Sequence, residues 1–151
     1  MSVSDTRTLE NDRGGALVVE LLEKAGHQVC SREIVPDDAE RIEQALSSAL
    51  VRRDTRAVIL TGGTGVAPRD VTPDSVEPLL ERELPGFGEL FRWLSFQEIG
   101  SAAFLSRALA GLAEGRLVFV LPGSQAAVRL GMEQLILPEL GHLAAEAVKA
   151  R

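Results

Sequence analysis

The stretch Ile59–Asp70, ILTGGTGVAPRD, places three glycines in four positions at the point where an apolar run ends. The run AVILT, residues 57–61, predicts a buried strand, and the glycines predict a turn at its carboxyl end. Ligands of open parallel sheets bind beyond the carboxyl ends of strands, where glycines let backbone N–H groups converge on an anion. A tight strand-to-helix turn that needs positive φ angles explains the same spacing, so both interpretations stand.

A second glycine turn, LPGS at residues 121–124, also follows an apolar strand and precedes a helical pattern. Its N–H groups and the Ser124 hydroxyl could contact another anionic group, although such a turn alone is usually only a turn. Two of these turns at strand ends favour a ligand with separated phosphate or polar groups. Gly65 is followed by Val66 and Ala67 instead of Lys and Ser or Thr, which excludes a P-loop.

Helical patterns and short β-branched runs alternate along the rest of the chain, which predicts a three-layer α/β/α fold with a mostly parallel central sheet. Thr72 is predicted to cap a helix that has Pro73 at its first position. Short helices and then a strand near Ala108 are expected in residues 85–115, and Pro138 interrupts the last helix. The remaining predicted elements are helices at 14–26 and 36–53 and strands at 27–35 and 116–123.

The sequence MSVSDT enters a polar loop almost at once, whereas a doubly wound sheet usually has a full strand before its first helix. We therefore expect a shortened first strand. Either the chain starts upstream of Met1, or Met1 to Val3 form only the end of that strand.

The composition, 151 residues with 45% apolar content, predicts a single domain over residues 1–151. A net charge of -6 without clustered Lys and Arg opposes binding to nucleic acid or to an anionic membrane. The single cysteine, Cys30, falls in a predicted strand and cannot form an intrachain disulfide. No leader and no apolar run of about 20 residues is present, so we expect a cytoplasmic location and no membrane partner.

Three aspartates, Asp5, Asp37 and Asp70, fall in predicted loops after strands, on the same edge of the sheet as the glycines. Carboxylates and phosphates repel each other unless a hard cation such as Mg²⁺ bridges their oxygens. Each aspartate also has a structural interpretation. Asp37 could cap the following helix, Asp5 could order a turn, and Asp70 could pair with Arg69; for Asp5 and Asp38 the structural role is preferred. Three arginines are either phosphate ligands or solvated surface groups: Arg69, Arg107 and Arg129.

Five motifs carry a family resemblance: SVSDTRT, VPDD, TGGTGVAPRDVTPD, PGFGELFRWLSFQEIGSAAFLSRALAG and LVFVLPGS. In this order they resemble the MoaB/Mog family of molybdenum cofactor biosynthesis proteins over nearly the whole chain. The longest motif is more similar to the MoaB branch than to the Mog branch. The resemblance implies a three-layer α/β fold assembled as homo-trimers or hexamers.

The resemblance also implies an activity, the Mg²⁺-dependent transfer of AMP from ATP to molybdopterin with release of pyrophosphate. Asp37 would be the catalytic carboxylate that places Mg²⁺ and ATP, and Asp70 would help hold the pterin. A downstream molybdenum-insertion protein is an expected partner. The turn that reads PGSQAA here departs from the PGSP of many relatives. The residues expected to line the substrate and phosphate pocket are Ser4, Asp5, Thr61, Gly62, Gly63, Thr64, Gly65, Pro122, Gly123 and Ser124.

Two other classes of function stay open at this point. A non-catalytic molybdopterin-binding or carrier protein would bind pterin without any dependence on ATP. A plain oligomerisation domain would use the apolar run that contains Phe87, Phe91, Trp93, Leu94 and Phe96, which packs either inside the subunit or against a neighbour.

Overall fold

A six-stranded sheet with the order β2-β1-β3-β6-β5-β4 forms the centre of the protein, in a computed structural model that describes residues 1–147. β1 pairs in parallel with β2 and β3, and β3 pairs in parallel with β6. β5 runs antiparallel to both β6 and β4. The strands are β1 (Ser2–Val3), β2 (Ile34–Val35), β3 (Ala57–Thr61), β4 (Arg82–Glu83), β5 (Leu109–Ala113) and β6 (Arg116–Leu121).

Helices cover both faces of this sheet, which confirms the predicted three-layer architecture. They are α1 (Arg13–Lys24), α2 (Ala39–Leu50), α3 (Thr72–Val76), α4 (Pro85–Ile99), α5 (Gln125–Gly131) and α6 (Leu137–Glu146). A π-helical turn, Met132–Ile136, joins α5 to α6. Within residues 1–147, no helix is long and apolar enough to cross a membrane. The expected cytoplasmic location and the single domain over residues 1–151 both stay predictions.

The core has one half on each face of the sheet, because β6 is buried on both sides. Phe119 and Leu121 pack with α1, α4 and α6 on one face, whereas Val118 and Val120 pack with α2 on the other. A strand with two buried faces reads as a continuous apolar run, and LVFVL does so. The sequence signal for β6 was therefore strong, as it was for β3.

The strand predicted over residues 27–35 is wrong except at Ile34–Val35. Cys30, which the sequence placed in a strand, is exposed in an irregular segment. The physical reason is the predicted shortening of β1, which the structure confirms. β1 supplies only Ser2 and Val3 as partners for β2, so the residues before Ile34 have no strand to pair with.

Two helix predictions also need correction. Residues 85–99 form one helix, α4, instead of several short ones. Its Gly88 lies so close to β5 that an added Cβ would be 2.6 Å from the Ala108 carbonyl oxygen, so this glycine allows helix and strand to touch. Thr72 is the first residue of α3 instead of its cap, and among the described residues no side chain caps that helix. Pro138 lies at the start of α6, next to the π turn, as the interruption predicted.

Candidate functional site

The two glycine turns meet because β3 and β6 end at the same level, with Thr61 paired to Leu121. The N–H of Gly62 donates to the Leu121 carbonyl at 2.9 Å. A Cβ on Gly123 would lie 3.3 Å from the Cα of Gly62, and one on Gly14 would lie 2.7 Å from the Gly123 carbonyl oxygen. The start of α1 and both turns are therefore in backbone contact, with no room for side chains between them.

Both interpretations of the first glycine turn hold in the structure. Gly62 and Gly63 have positive φ angles, +102° and +62°, as a tight turn requires. The carbonyl of Gly63 accepts from the Thr72 N–H at 3.1 Å, and the carbonyl of Gly65 accepts from Arg107 Nε at 2.9 Å. In the described part of the chain, the N–H groups of Gly63, Thr64 and Gly65 have no acceptor. The turn is thus held through its carbonyl oxygens and leaves its N–H groups available.

Two of the predicted carboxylates lie against this turn. A Cβ on Gly63 would be 2.9 Å from Asp37 Oδ1, and one on Gly65 would be 2.7 Å from Asp70 Oδ2. Asp37 Oδ1 is buried, and no residue between Met1 and Ala147 forms a hydrogen bond with it. The structure therefore brings Asp37 and Asp70 to the same turn from two different loops.

Burial raises the pKa of Asp37 above its usual 3.8, and the nearby carboxylates of Asp5 and Asp70 raise it further. The charge of Arg69 opposes this effect but does not cancel it. Among residues 1–147 no cationic side chain forms an ion pair with Asp37. An ionised Asp37 is consequently short of positive charge, which a bound cation would supply.

The structural interpretations of the aspartates are resolved in part. Asp38, not Asp37, caps α2 by accepting from the Arg41 N–H at 3.0 Å, as preferred. Asp70 does not pair with Arg69; its carboxylate accepts from the Ala67 N–H at 2.9 Å. Its first role is therefore to close its own loop.

The loop after β1 is ordered by Ser4 instead of Asp5. The Ser4 hydroxyl accepts from the N–H groups of Thr6 and Arg7, each at 3.2 Å. The Asp5 carboxylate accepts instead from the N–H of Asp37 at 3.0 Å. Asp5 thus joins the loops that follow β1 and β2, and the expectation that it orders its own turn is wrong.

The three arginines have different surroundings. Arg107 braces the glycine turn, because its guanidinium donates to the carbonyl oxygens of Gly65 and Asp70 and to both carboxylate oxygens of Asp74. Arg129 forms an exposed ion pair with Glu133 at 2.8 Å. Arg69 is exposed, and no hydrogen bond from its side chain occurs within the described residues. Only Arg69 stays a candidate phosphate ligand.

A cavity of about 610 Å³ opens where the two turns meet α1. Five of the predicted binding residues line it: Ser4, Thr61, Gly62, Gly123 and Ser124. The hydroxyl of Ser124 is already used, because it caps α5 by accepting from the Ala127 N–H at 3.2 Å. The other predicted residues lie outside its lining, with the Asp37 and Asp70 carboxylates beside Gly63 and Gly65 instead.

Sequence reasoning missed three residues of this region. Arg7 and Arg13 line the cavity and supply cationic side chains there. The net charge of the whole chain, -6, does not reveal this local positive charge. Thr72 is fully buried, and its hydroxyl has no hydrogen-bond partner in the described part of the chain, although a Cβ on Gly63 would lie 2.3 Å from it. The sequence predicted that Thr72 caps a helix, so its hydroxyl was not among the predicted site residues. The only sequence signal for a role in the site is the position of Thr72 within the motif PRDVTPD.

The region does not hold a complete set of protein ligands for a metal. Within residues 1–147 there is no group of three or more His, Cys, Asp or Glu side chains that could hold one. Mg²⁺ is usually held by one or two carboxylates together with waters and substrate phosphates. The unpartnered Oδ1 of Asp37 fits that pattern.

Comparisons with known proteins agree on one family. The family model described as "Probable molybdopterin binding domain" matches residues 1–142. A protein of Halalkalibacterium halodurans named molybdenum cofactor biosynthesis protein B is 51% identical, covering 100% of this chain and 89% of that protein. A crystal structure of a molybdenum cofactor biosynthesis protein B, 52% identical, has a TM-score of 0.94 and covers 97% of this chain and 91% of that one. The tungsten cofactor synthesizing protein MoaB from Pyrococcus furiosus is 40% identical with a TM-score of 0.84, covering 97% and 92%.

Proposed function

We propose that this chain, which belongs to the MoaB/Mog family of molybdenum cofactor biosynthesis proteins, transfers the adenylyl group of ATP to molybdopterin. The observation that carries the proposal is the buried, unpartnered Oδ1 of Asp37 beside the free N–H groups of the glycine turn. Phosphate oxygens need N–H donors, and a cation that accompanies them needs a carboxylate. The site offers both, because the Asp37 carboxylate lies against the glycine turn.

The reaction asks for positioning more than for covalent chemistry by the protein. An oxygen of the terminal phosphate of molybdopterin forms a bond to the α-phosphorus of ATP. The bond from that phosphorus to the oxygen bridging to the β-phosphate breaks, and pyrophosphate leaves with the electron pair. Because the attacking phosphate is already anionic, no side-chain nucleophile is required, and the protein has to align the two groups and offset their charge.

The residues divide these tasks between them. The N–H groups of Gly63, Thr64 and Gly65 bind phosphate oxygens, which is possible because Thr72 and Arg107 hold the carbonyls of this turn. Asp37 would hold Mg²⁺, which would supply the positive charge that offsets the phosphates. Asp70 holds the pterin substrate beside it.

The cavity of about 610 Å³ binds the part of the two substrates that lies away from Asp37 and Asp70. Arg7 and Arg13 lie at its wall with the backbone of Gly123. Two cationic side chains and exposed backbone amides favour an anionic group over a neutral one. This placement agrees with a substrate whose phosphate and pterin ends are separated.

We also propose that the chain acts as a homo-oligomer, a trimer or a hexamer. The apolar run considered as an interface divides in two. Phe91 is buried in the core and Phe87 packs on Phe119, with ring centroids 5.4 Å apart. Trp93 and Phe96 are instead 61% and 54% exposed. Six exposed apolar residues of α4 and of the segment that follows it make up what we call the α4 patch: Leu90, Trp93, Phe96, Ile99, Phe104 and Leu105. Apolar surface of this kind marks a protein interface.

The test of the activity uses two adjacent carboxylates. Purified protein incubated with molybdopterin, ATP and Mg²⁺ should release pyrophosphate and yield adenylyl-molybdopterin, which mass spectrometry identifies. Asp37→Asn should lower turnover at least about 100-fold, since it removes the negative charge that would hold Mg²⁺ beside the phosphates. Asp38→Asn is the matched control and should keep normal turnover, because Asp38 only caps α2.

Pterin binding without ATP binding in calorimetry, together with no pyrophosphate release, would overturn the proposal and indicate a carrier. Normal turnover of Asp37→Asn would leave the activity intact but refute the assigned role. If the product forms, the class of protein that consumes it is the molybdenum-insertion protein expected from the family.

A further inference from the structure

The Thr72 hydroxyl is a buried polar group to which the reaction proposed above gives no task. The residue is 0% exposed, and within residues 1–147 its Oγ1 has no hydrogen-bond partner. A buried hydroxyl without a hydrogen bond destabilises a fold relative to an apolar group of the same shape. Valine has that shape, so the threonine at this position calls for a reason other than packing.

Two packed helices place Thr72 near Asp37. Thr72 is the first residue of α3, and Asp37 lies two residues before α2 begins. Val76 of α3 and Ile42 of α2 belong to the same part of the core, where the two helices pack together. The N–H of Thr72 also donates to the Gly63 carbonyl at 3.1 Å. The backbone positions of both residues beside the glycine turn are therefore fixed.

The two unpartnered oxygens of these residues converge on one point. A Cβ added to Gly63 would lie 2.3 Å from Thr72 Oγ1 and 2.9 Å from Asp37 Oδ1. The two oxygens are therefore no farther apart than the sum of these two distances. No hydrogen bond joins them in the part of the chain that is described, and a change in one side-chain torsion angle is enough to bring them to hydrogen-bond length. The absence of a side chain at Gly63 leaves the space between them free.

A hydroxyl is a suitable donor for a carboxylate in these surroundings. Its hydrogen turns about the C–O bond, so it can point at Asp37 from a fixed oxygen position. An ionised carboxylate has about four lone-pair sites, and one hydrogen bond leaves the others for a cation. Carboxylates that bind metal ions in proteins are usually oriented by such a hydrogen bond from a neighbouring group. Thr72 is in the place where a group with this role would lie.

We infer that Thr72 is a positioning residue, whose hydroxyl donates a hydrogen bond to the Asp37 carboxylate when a divalent cation and a nucleotide phosphate bind at the glycine turn. This inference rests on the function proposed above. The hydrogen bond is not formed in the arrangement described here, so it stabilises the complex and not the protein alone. Thr72 therefore increases the affinity for the ligand at a cost in the stability of the free fold.

Two substitutions at Thr72 separate the hydroxyl from the shape of the side chain. Thr72→Val removes the hydroxyl and keeps the shape, whereas Thr72→Ser keeps the hydroxyl and removes the methyl group. Binding of ATP together with Mn²⁺, a paramagnetic substitute for Mg²⁺, is measured by calorimetry and by electron paramagnetic resonance. Thr72→Val should weaken this binding at least about tenfold, and Thr72→Ser no more than about threefold. Without ligand, Thr72→Val should melt at the temperature of the parent protein or higher.

Ser75→Ala is the matched control within the same helix. Ser75 is also buried, but its hydroxyl donates to the Val71 carbonyl at 2.9 Å and therefore has a structural partner. Removing that hydroxyl should lower the melting temperature and leave the affinity for Mn²⁺ and ATP unchanged. A hydroxyl with a purely structural role thus gives the opposite pattern to the one expected at Thr72.

A double substitution tests whether Thr72 acts through Asp37. In the Asp37→Asn protein the charged acceptor is already gone, so adding Thr72→Val should weaken the binding of Mn²⁺ and ATP by less than about twofold more. If the losses of the two single substitutions multiplied in the double variant, Thr72 would act independently of Asp37 and the inference would be overturned.

The outcomes distinguish this inference from the proposed function. Equal affinities of Thr72→Val and Thr72→Ser would overturn the inference and leave adenylyl transfer intact. A Thr72→Val protein that melts below the parent or fails to fold would also overturn it, since the hydroxyl would then support the fold. The expected pattern of affinities in a protein that forms no adenylyl-molybdopterin would support the role of Thr72 and refute the reaction. A parent protein that binds no Mn²⁺ with ATP would refute both.

Discussion

The backbone N–H of Asp37 donates a hydrogen bond of 3.0 Å to the carboxylate of Asp5, which ties the loop after β2 to the loop after β1. The side chain of Asp37 is thereby held against Gly63 while two other carboxylates stand nearby. This arrangement stabilises the position of Asp37 but disfavours its charge. Function and stability therefore oppose each other at this residue.

Asp37→Asn should melt at the same temperature as the parent protein or higher at pH 7. The raised pKa means that the folded state loses stability as the pH rises from the ordinary value of 3.8 through the folded value, and that the loss persists above it. Asparagine carries no such cost. The difference in melting temperature should shrink as the pH approaches 4, which thermal melts across this range would show. A lower melting temperature for Asp37→Asn at pH 7 would contradict the electrostatic argument.

Asp12→Ala should destabilise the protein by about 2–3 kcal/mol, measured by urea unfolding at pH 7. Asp12 caps α1 through the Gly15 N–H and also binds the Ser2 hydroxyl and Arg32. Burial raises the pKa of Asp12, but hydrogen bonds from Ser2, Gly15 and Arg32 outweigh it and hold the value below 3.8. Its stabilising effect is therefore complete above pH 3.8 and is lost as the pH falls through the folded pKa.

The exposed cap Asp38 provides the comparison for that experiment. Asp38→Ala removes one capping hydrogen bond and should cost about 1 kcal/mol. Equal losses for the two variants would mean that Ser2 and Arg32 add nothing to the capping role of Asp12.

Gly63→Ala should destabilise the protein by more than about 2 kcal/mol and abolish nucleotide binding. The φ angle of +62° strains any side chain, and the new Cβ would lie 2.3 Å from Thr72 Oγ1 and 2.9 Å from Asp37 Oδ1. Gly26→Ala separates these two effects, since Gly26 also has a positive φ but no atom within 4 Å of an added Cβ. It should cost about 1 kcal/mol and leave ATP binding in calorimetry unchanged.

Arg107→Lys should weaken substrate binding at least about tenfold, because an ammonium cannot donate at once to Gly65, Asp70 and Asp74 as the guanidinium does. Hydrogen exchange of residues 62–70 should speed up in the same variant. Arg52→Gln is the control, because Arg52 forms an exposed ion pair with Asp54 away from the site. It should leave substrate binding and the exchange of residues 62–70 unchanged. Unchanged exchange in Arg107→Lys would show that Arg107 does not brace the turn.

The pair of substitutions Trp93→Glu and Phe96→Glu should convert the oligomer into monomers, as measured by sedimentation or light scattering. Both side chains belong to the α4 patch, and a charge there would be desolvated in an interface. Val51→Glu changes an apolar residue that is 75% exposed elsewhere and should leave the assembly intact. A parent protein that is already monomeric at micromolar concentration would refute the proposed assembly.

The sequence predicted well those elements that carry a clear pattern in their own residues. β3 and β6 are buried on both faces, α1 and α2 carry clear apolar stripes, and the two glycine turns follow directly from their strands. The failure over residues 27–35 has a different origin. A strand there needs a partner in β1, and no local pattern in HQVCSREIV reports that its partner is two residues long. Gly88 led to the wrong prediction of short helices for a similar reason. This glycine allows α4 to contact β5, and a local pattern does not report that contact.

The candidate site could be predicted in outline but not in detail. Strand order places Asp5, Asp37 and Asp70 on one edge, and the structure brings them together. Which carboxylate is left unpartnered depends on loop geometry, since Asp38 takes the cap and Asp70 closes its own loop. The sequence could not show that the Thr72 hydroxyl is buried, because its burial depends on α3 beginning at that residue.

The π turn Met132–Ile136 lies midway along the helical run that starts beside Ser124 and ends past Leu140. An α-helix rotates by roughly 100° per residue, so the wider turn sets the angular orientation of α6 independently of α5. Deleting one residue there would swing Leu140 away from the sheet while Ser124 kept its orientation. Evolutionary change at the far end of this run can therefore alter the inner packing without disturbing the end that lines the cavity of about 610 Å³.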